Sequence, residues 1–225
     1  MSETPGVLGV YGGTFDPPHI AHLRLAIEAR EMLGLSEVAF VPAGQPPLRA
    51  APQASPVQRL AMVERAIAAT PGLRLDAAEA MSSGPSYTVA TLERLRAHHG
   101  PQRPLVLLLG ADAFTRLEAW QRWRELFALA HIGVATRPGH ALAEWKVGAG
   151  DTPLQREFLA RQGVAADLAN APAGRIVPFA MTALEISATA IRARLAAGRN
   201  VRHLAPDAVL DYIDSNTLYR TPNGR

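Results

Sequence analysis

Between positions 12 and 22 the chain reads Gly12-Gly13-Thr14-Phe15-Asp16-Pro17-Pro18-His19-Ile20-Ala21-His22, a run whose residue types suit an anionic ligand. Glycines let main-chain N–H groups come close to a phosphate, and a helix starting beyond the two prolines offers a partial positive charge at its N-terminus. His19 and His22, three apart on one helical turn, share a face and can donate to oxygens of one bound group. A turn, a core phenylalanine and two surface imidazoles are the plainer alternative. A zinc pair fits less well, because zinc helices space their histidines by four around a glutamate and no third ligand is evident. Near the other end stands Ile186-Ser187-Ala188-Thr189-Ala190-Ile191-Arg192. Ser187 or Thr189 suits the N-cap of a following helix, and its free N–H groups with Arg192 one turn in would form a second anion site. An ordinary serine-capped helix with a surface arginine remains the alternative from this segment alone.

Composition narrows what such sites can be. The chain has 225 residues, 48% of them hydrophobic and 19% charged, and so suits one domain over 1–225, with a core at about 6–180 and a C-terminal helical part at about 186–220. No cysteine is present, so disulfides, thiolate metal sites and a cysteine nucleophile are excluded. Lys146 is the single lysine, and no Gly-Lys-Ser/Thr run exists. A P-loop is therefore excluded, and any phosphate site must rely on arginine, histidine, hydroxyls and the main chain. The 23 basic and 20 acidic residues are interspersed, so nucleic acid is not an expected partner. Nor is a membrane, since no apolar run approaches the ~20 residues of a span. The expected location is the cytoplasm.

These segments need a scaffold, and the hydrophobic pattern supplies one. Apolar runs predict strands at Val7–Tyr11, Val38–Val41, Leu73–Leu75, Leu105–Leu109, Ile132–Thr136 and Ile176–Val177. Helical spacing is expected from Ile20 through Leu23 and Ile27 to the Gly34 stop, then from Ser55-Pro56 to about Ala69 and over Ser86–His98. Further helices are expected at Trp123–Ala130, Leu154–Arg161, Ala188–Ala197 and Asp207–Ser215, the last with Val209, Leu210 and Ile213 inside. Residues 139–174 are weakly patterned. Alternating strands and helices imply an α/β, Rossmann-like, doubly wound parallel sheet with helices on both faces and a small C-terminal helical extension. Ligands bind such sheets beyond the carboxyl ends of the strands, at the switch point.

Both motifs resemble those of the nucleotidyltransferase superfamily, which carries Gly-x-Phe-Asp-Pro-x-His-x-Gly-His and Ile-Ser-x-Thr-x-Ile-Arg. Ala21 stands where the family has a glycine. Over nearly the whole chain the resemblance is to bacterial nicotinate-nucleotide adenylyltransferases. It extends to Pro46-Pro47-Leu48-Arg49, where Leu48 replaces the family's histidine, to Gln58-Arg59 with Met62, and to Ser86-Tyr87-Thr88 with Thr91-Leu92. Gly110-Ala111-Asp112 with Trp120, Arg137-Pro138-Gly139 and the closing Leu218-Tyr219-Arg220 complete it.

The resemblance implies transfer of AMP from ATP to nicotinate mononucleotide, with pyrophosphate released. Gly12, Gly13, Thr14, Phe15, His19, His22, Ser187, Thr189 and Arg192 are then the expected ATP-binding residues, with His19, His22 and Arg192 the catalytic ones. Arg49, Tyr87, Thr88, Asp112, Trp120 and Arg137 are expected at the pyridine nucleotide. Mg²⁺ is expected on the ATP phosphates, held mainly by phosphate and water. Asp112 as a mere helix cap and Trp120 as a core residue are the plainer alternatives. Nicotinamide mononucleotide or phosphopantetheine as acceptor, and a non-catalytic nucleotide- or RNA-binding module, are the competing functions. The remaining histidines carry no assigned role.

Overall fold

The computed structural model describes residues 6–47, 51–136 and 152–220. Six strands, β1 (Leu8–Gly13), β2 (Glu37–Pro42), β3 (Leu73–Leu75), β4 (Leu105–Gly110), β5 (His131–Thr136) and β6 (Ile176–Ala180), form one parallel sheet in the order β3-β2-β1-β4-β5-β6. The helices around it are α1 (Ile20–Leu33), α2 (Pro56–Ile67), α3 (Thr88–His99), α4 (Ala111–Phe114), α5 (Leu126–Leu129), α6 (Pro153–Arg161), α7 (Ala188–Ala196) and α8 (Asp207–Ser215).

The strand order runs outward in opposite directions from β1 and β4, which pair in parallel with Leu8 beside Leu105 and Val10 beside Leu107. That reversal is the switch point, and Gly12 and Gly110 lie at the carboxyl ends of its two strands. The apolar run of β4 is buried from Leu105 to Leu109, as a parallel strand covered on both faces requires. Pro178 lies within β6, and the sheet order puts β6 at an edge, where a missing N–H costs no ladder bond.

Each predicted strand and helix is present, with two local differences. In α1, whose spacing is read from Ile20, Leu23 and Ile27, those three are half-buried and the buried residues are Ala21, Leu25, Ala26, Glu28, Ala29 and Leu33. The helix expected at Trp123–Ala130 is a 3-10 turn, Trp123–Glu125, entered from left-handed Arg122 with φ 54°, followed by the four residues of α5. In α8 Leu210 is half-buried, while Val209 and Ile213 are buried and each contributes about 1.5–3 kcal/mol.

The chain divides into two compact units. One comprises the described residues up to Gly12 with Leu25–Ala39 and the described part of Tyr87–Ala183. Within it Arg96 donates to four carbonyls in three segments, those of Leu129, of Pro101 and Arg103, and of Pro172. The other comprises Gly13–Arg24 with the described parts of Phe40–Ser86 and of the chain from Leu184 onward. Its helix α2 starts at a capping box in which the Ser55 hydroxyl accepts the Gln58 N–H and the Gln58 side chain accepts the Ser55 N–H. This helix meets α8, with the Arg65 guanidinium 4.5 Å over the Tyr212 ring.

Candidate active site

The second unit holds most of both motifs. β1 ends at Gly13, where a Cβ would sit 2.8 Å from Cζ of the Phe15 ring, so only glycine lets that ring lie against the strand end. At Gly12 a Cβ would meet nothing within 4 Å, and the residue is exposed. Its peptide is open to an incoming ligand. Phe15 is 2% exposed and left-handed, with φ 50°, a conformation that costs a bulky residue about 1–2 kcal/mol. Its ring is held by Phe40, at 5.3 Å between centroids, and by the edge-on ring of His22 at 5.0 Å. The Asp16–Pro17 peptide that follows is cis.

His19 is buried just before α1, and His22 lies half-buried in its first turn. The two rings stack at 3.6 Å between centroids with 21° between planes. The His19 N–H donates to Nδ1 of His22 at 3.1 Å. A neutral His22 ring must therefore carry its proton on Nε2 and act there as a donor. Next in the chain, the Ile20 N–H donates to the carbonyl of Leu204 at 3.0 Å, fastening the helix start to the segment between α7 and α8. Ala21, in place of the family's glycine, is buried.

In the C-terminal motif Ser187, and not Thr189, is the N-cap of α7, its hydroxyl accepting the Ala190 N–H at 3.2 Å. The Ser187 O–H can still donate outward. Thr189 is exposed. Arg192, one turn along, reaches the first motif. Its Nη1 donates to the Asp16 carbonyl at 2.6 Å and lies 3.9 Å from Oδ2 of the same residue. Two stretches 176 positions apart thus meet at one turn.

Three supporting residues escaped the sequence reading as site components. Asp16 is 3% exposed, and its carboxylate accepts the N–H groups of Gln53 at 2.8 Å and Ala54 at 3.1 Å and the hydroxyl of Tyr219 at 2.6 Å. Arg59 is fully buried and donates to the carbonyls of Thr14 at 2.8 Å, Gly44 at 3.1 Å and Ala54 at 3.3 Å. Burial lowers the pKa of its guanidinium, and the charge of Asp16 opposes that shift. A signal for Arg59 was present: it occupies the apolar stripe Arg59, Met62, Val63, Ala66, Ile67 of α2, where a charge must find buried acceptors. Ser86 spends its hydroxyl on the loop after β2, accepting the N–H groups of Gly44 at 2.8 Å and Gln45 at 3.2 Å.

Tyr87, Thr88, Asp112 and Trp120 belong to the first unit. Tyr87 is the N-cap of α3 and Thr88 its first residue, both half-buried. Asp112 is exposed within α4, whose N-cap is Gly110, so it is not the capping residue. Trp120 is half-buried and closes a 3-10 turn by donating its N–H to the Leu117 carbonyl, while Trp123 is the buried tryptophan. Arg49 and Arg137, together with Leu48, lie outside the described residues.

Residues 10–194 match the family model described as cytidylyltransferase-like. A protein of Dechloromonas aromatica (strain RCB), named as a probable nicotinate-nucleotide adenylyltransferase, is 51% identical over 98% of this chain and 99% of its own length. One of the same name from Marinobacter nauticus is 47% identical over 93% of this chain and 95% of its own. Among solved structures, Plasmodium falciparum nicotinic acid mononucleotide adenylyltransferase complexed with NaAD shares the fold, with a TM-score of 0.71 at 16% identity over 96% of this chain and 98% of its own. The chain belongs to the cytidylyltransferase-like family and, within it, to the nicotinate-nucleotide adenylyltransferases.

Proposed function

We propose that this chain transfers the adenylyl group of ATP to nicotinate mononucleotide, forming nicotinate adenine dinucleotide and pyrophosphate. The observation that carries the reading is the meeting of Arg192 with Asp16, which gathers a guanidinium, a capped helix start and the stacked imidazoles of His19 and His22 in one compact unit. A phosphate oxygen of the acceptor attacks the α-phosphorus, and the bond from that phosphorus to the bridging oxygen breaks as pyrophosphate leaves. The attacking phosphate is already a dianion. No protein nucleophile is needed, and catalysis reduces to aligning two anions and offsetting their charge.

In this reading the bare peptide at Gly12 and the turn from Gly13 to Phe15 receive ATP. Nε2–H of His22 donates to an oxygen of the reacting phosphate, with His19 stacked behind it. Arg192, the Ser187 hydroxyl and Thr189 hold the β- and γ-phosphates. Tyr87, Thr88, Asp112 and Trp120, with Arg49 and Arg137, serve the pyridine nucleotide, and residues 1–225 work as one cytoplasmic nucleotidyltransferase domain. The donors in the ATP half suit phosphate oxygens rather than a hard cation, and both oxygens of the Asp16 carboxylate are already engaged. Mg²⁺ fits as an ion carried by the phosphates and water, where it would neutralise charge on the departing pyrophosphate.

The test is pyrophosphate release with ATP, Mg²⁺ and nicotinate mononucleotide, run beside nicotinamide mononucleotide and phosphopantetheine. Release with the highest kcat/KM for nicotinate mononucleotide is expected. No release, or faster release with phosphopantetheine, would overturn the proposal, and salt-dependent RNA binding without release would point to a binding module.

A further inference from the structure

Tyr219 lies outside both motifs, yet its hydroxyl reaches the turn inside the first, at Asp16. The O–H donates to Oδ1 of Asp16 at 2.6 Å and passes 3.9 Å from Sδ of Met62. The chain delivers it by leaving α8 through left-handed residues: Thr217 has φ 53° and Tyr219 φ 61°. Left-handed backbone at non-glycine residues is costly, so the turn must be held by what it reaches. Two main-chain bonds brace it, from the Thr217 N–H to the Asp214 carbonyl and from the Leu218 N–H to the Ile213 carbonyl, at 3.1 and 3.0 Å. Burial, with the carboxylate beside it, pushes the phenol pKa far above its usual range, so the group stays an O–H donor.

Asp16 is where that donor acts. Its side chain is fixed by the phenol and two main-chain N–H groups, while its own carbonyl receives Nη1 of Arg192. Without the phenol, the buried carboxylate keeps the main-chain N–H groups of Gln53 and Ala54 and gains freedom to tilt. The peptide that aims Arg192 tilts with it.

We propose that Tyr219 is a positioning residue that acts through Asp16 to set the orientation of Arg192, and thereby the affinity for the ATP phosphates. The proposal rests on the adenylyltransferase reading above, and it concerns only the ATP half of the site.

Tyr219→Phe deletes one oxygen and keeps the ring, and circular dichroism with the thermal midpoint reports folding. Steady-state rates would be measured with ATP varied at saturating nicotinate mononucleotide and then the reverse, together with calorimetric titration of ATP. A rise of about tenfold in both KM and Kd for ATP is expected, the scale of one lost hydrogen bond to a charged acceptor, with KM for nicotinate mononucleotide within about twofold of wild type. In an Arg192→Lys background, Tyr219→Phe should add little, because both changes act on one group. Unchanged ATP affinity, an equal rise in both KM values, additivity with Arg192→Lys, or a general loss from unfolding would each overturn the proposal. A wild-type chain that binds ATP but releases no pyrophosphate would refute the adenylyltransferase reading instead, and the calorimetric comparison would still decide the role of Tyr219.

Discussion

Replacing Arg59 with methionine keeps most of the buried stem of the side chain and deletes its guanidinium. Three carbonyls, those of Thr14, Gly44 and Ala54, then lose a charged donor in a region from which water is excluded. A hydrogen bond to a charged group contributes about 1.5–3 kcal/mol, so the gross loss is about 5–9 kcal/mol. Against this, the variant no longer buries a charge, and the lowered pKa of Arg59 shows that burying it is costly. Returning several kcal/mol of desolvation leaves a net loss of about 2–4 kcal/mol. For a chain of 225 residues each kcal/mol lowers the thermal midpoint by about 2–4 °C, so a fall of about 8 °C is expected in scanning calorimetry. Arg59→Lys should lie between, since an ammonium is a point charge and cannot span three acceptors. A change in Arg59→Met below about 0.5 kcal/mol, within ordinary surface scatter, would refute the view that this guanidinium holds the two loops together.

His22→Ala should lower turnover in pyrophosphate release by about 100-fold, the usual scale for losing one transition-state donor, and wild-type turnover at saturating substrates would remove its assigned role. His131 is buried, accepts the Arg175 N–H on Nδ1 at 3.0 Å and meets the Ala171 carbonyl through Nε2 at 2.8 Å. Burial lowers its pKa, so the unfolded chain takes up the proton first; stability from this group is complete above about pH 6.5 and declines below it by up to about 1.4 kcal/mol per pH unit. Urea midpoints followed from pH 8 to 5 check this, and an identical slope in a His131→Asn variant would contradict it. Gly13→Ala should destabilise by about 1–3 kcal/mol, because its Cβ falls 2.8 Å from a ring that is itself clamped, whereas Gly12→Ala meets open space. Equal denaturation midpoints for the two variants would refute the packing account.

Elements with a strong local cause were legible in the sequence. Ser55-Pro56 announced the start of α2, and the apolar run at Leu105 announced a central strand. Both motifs could be named with their residue types. Their meeting could not be read from periodicity, since Arg192 and Asp16 are 176 positions apart and Tyr219 and Asp16 are 203 apart. Long-range pairing is set by tertiary packing, which no local period encodes. Arg59 was passed over for a different reason: a charge on a helix is ordinarily solvated, and only its place in the apolar stripe of α2 marked it as interior.

Because Arg59 grips main-chain oxygens, what it recognises at Thr14 and Ala54 is the path of the chain and not the identity of the side chain. At half-buried Thr14 the side chain can change without unfastening the loops, whereas Ala54, 3% exposed, leaves no room for a larger one. Gly44 has no such liberty, since a methyl there would press against the Glu79 carbonyl at 2.5 Å. An engineer seeking a different phosphorylated acceptor would do well to vary the rim around these anchors and leave the fully buried arginine as it stands.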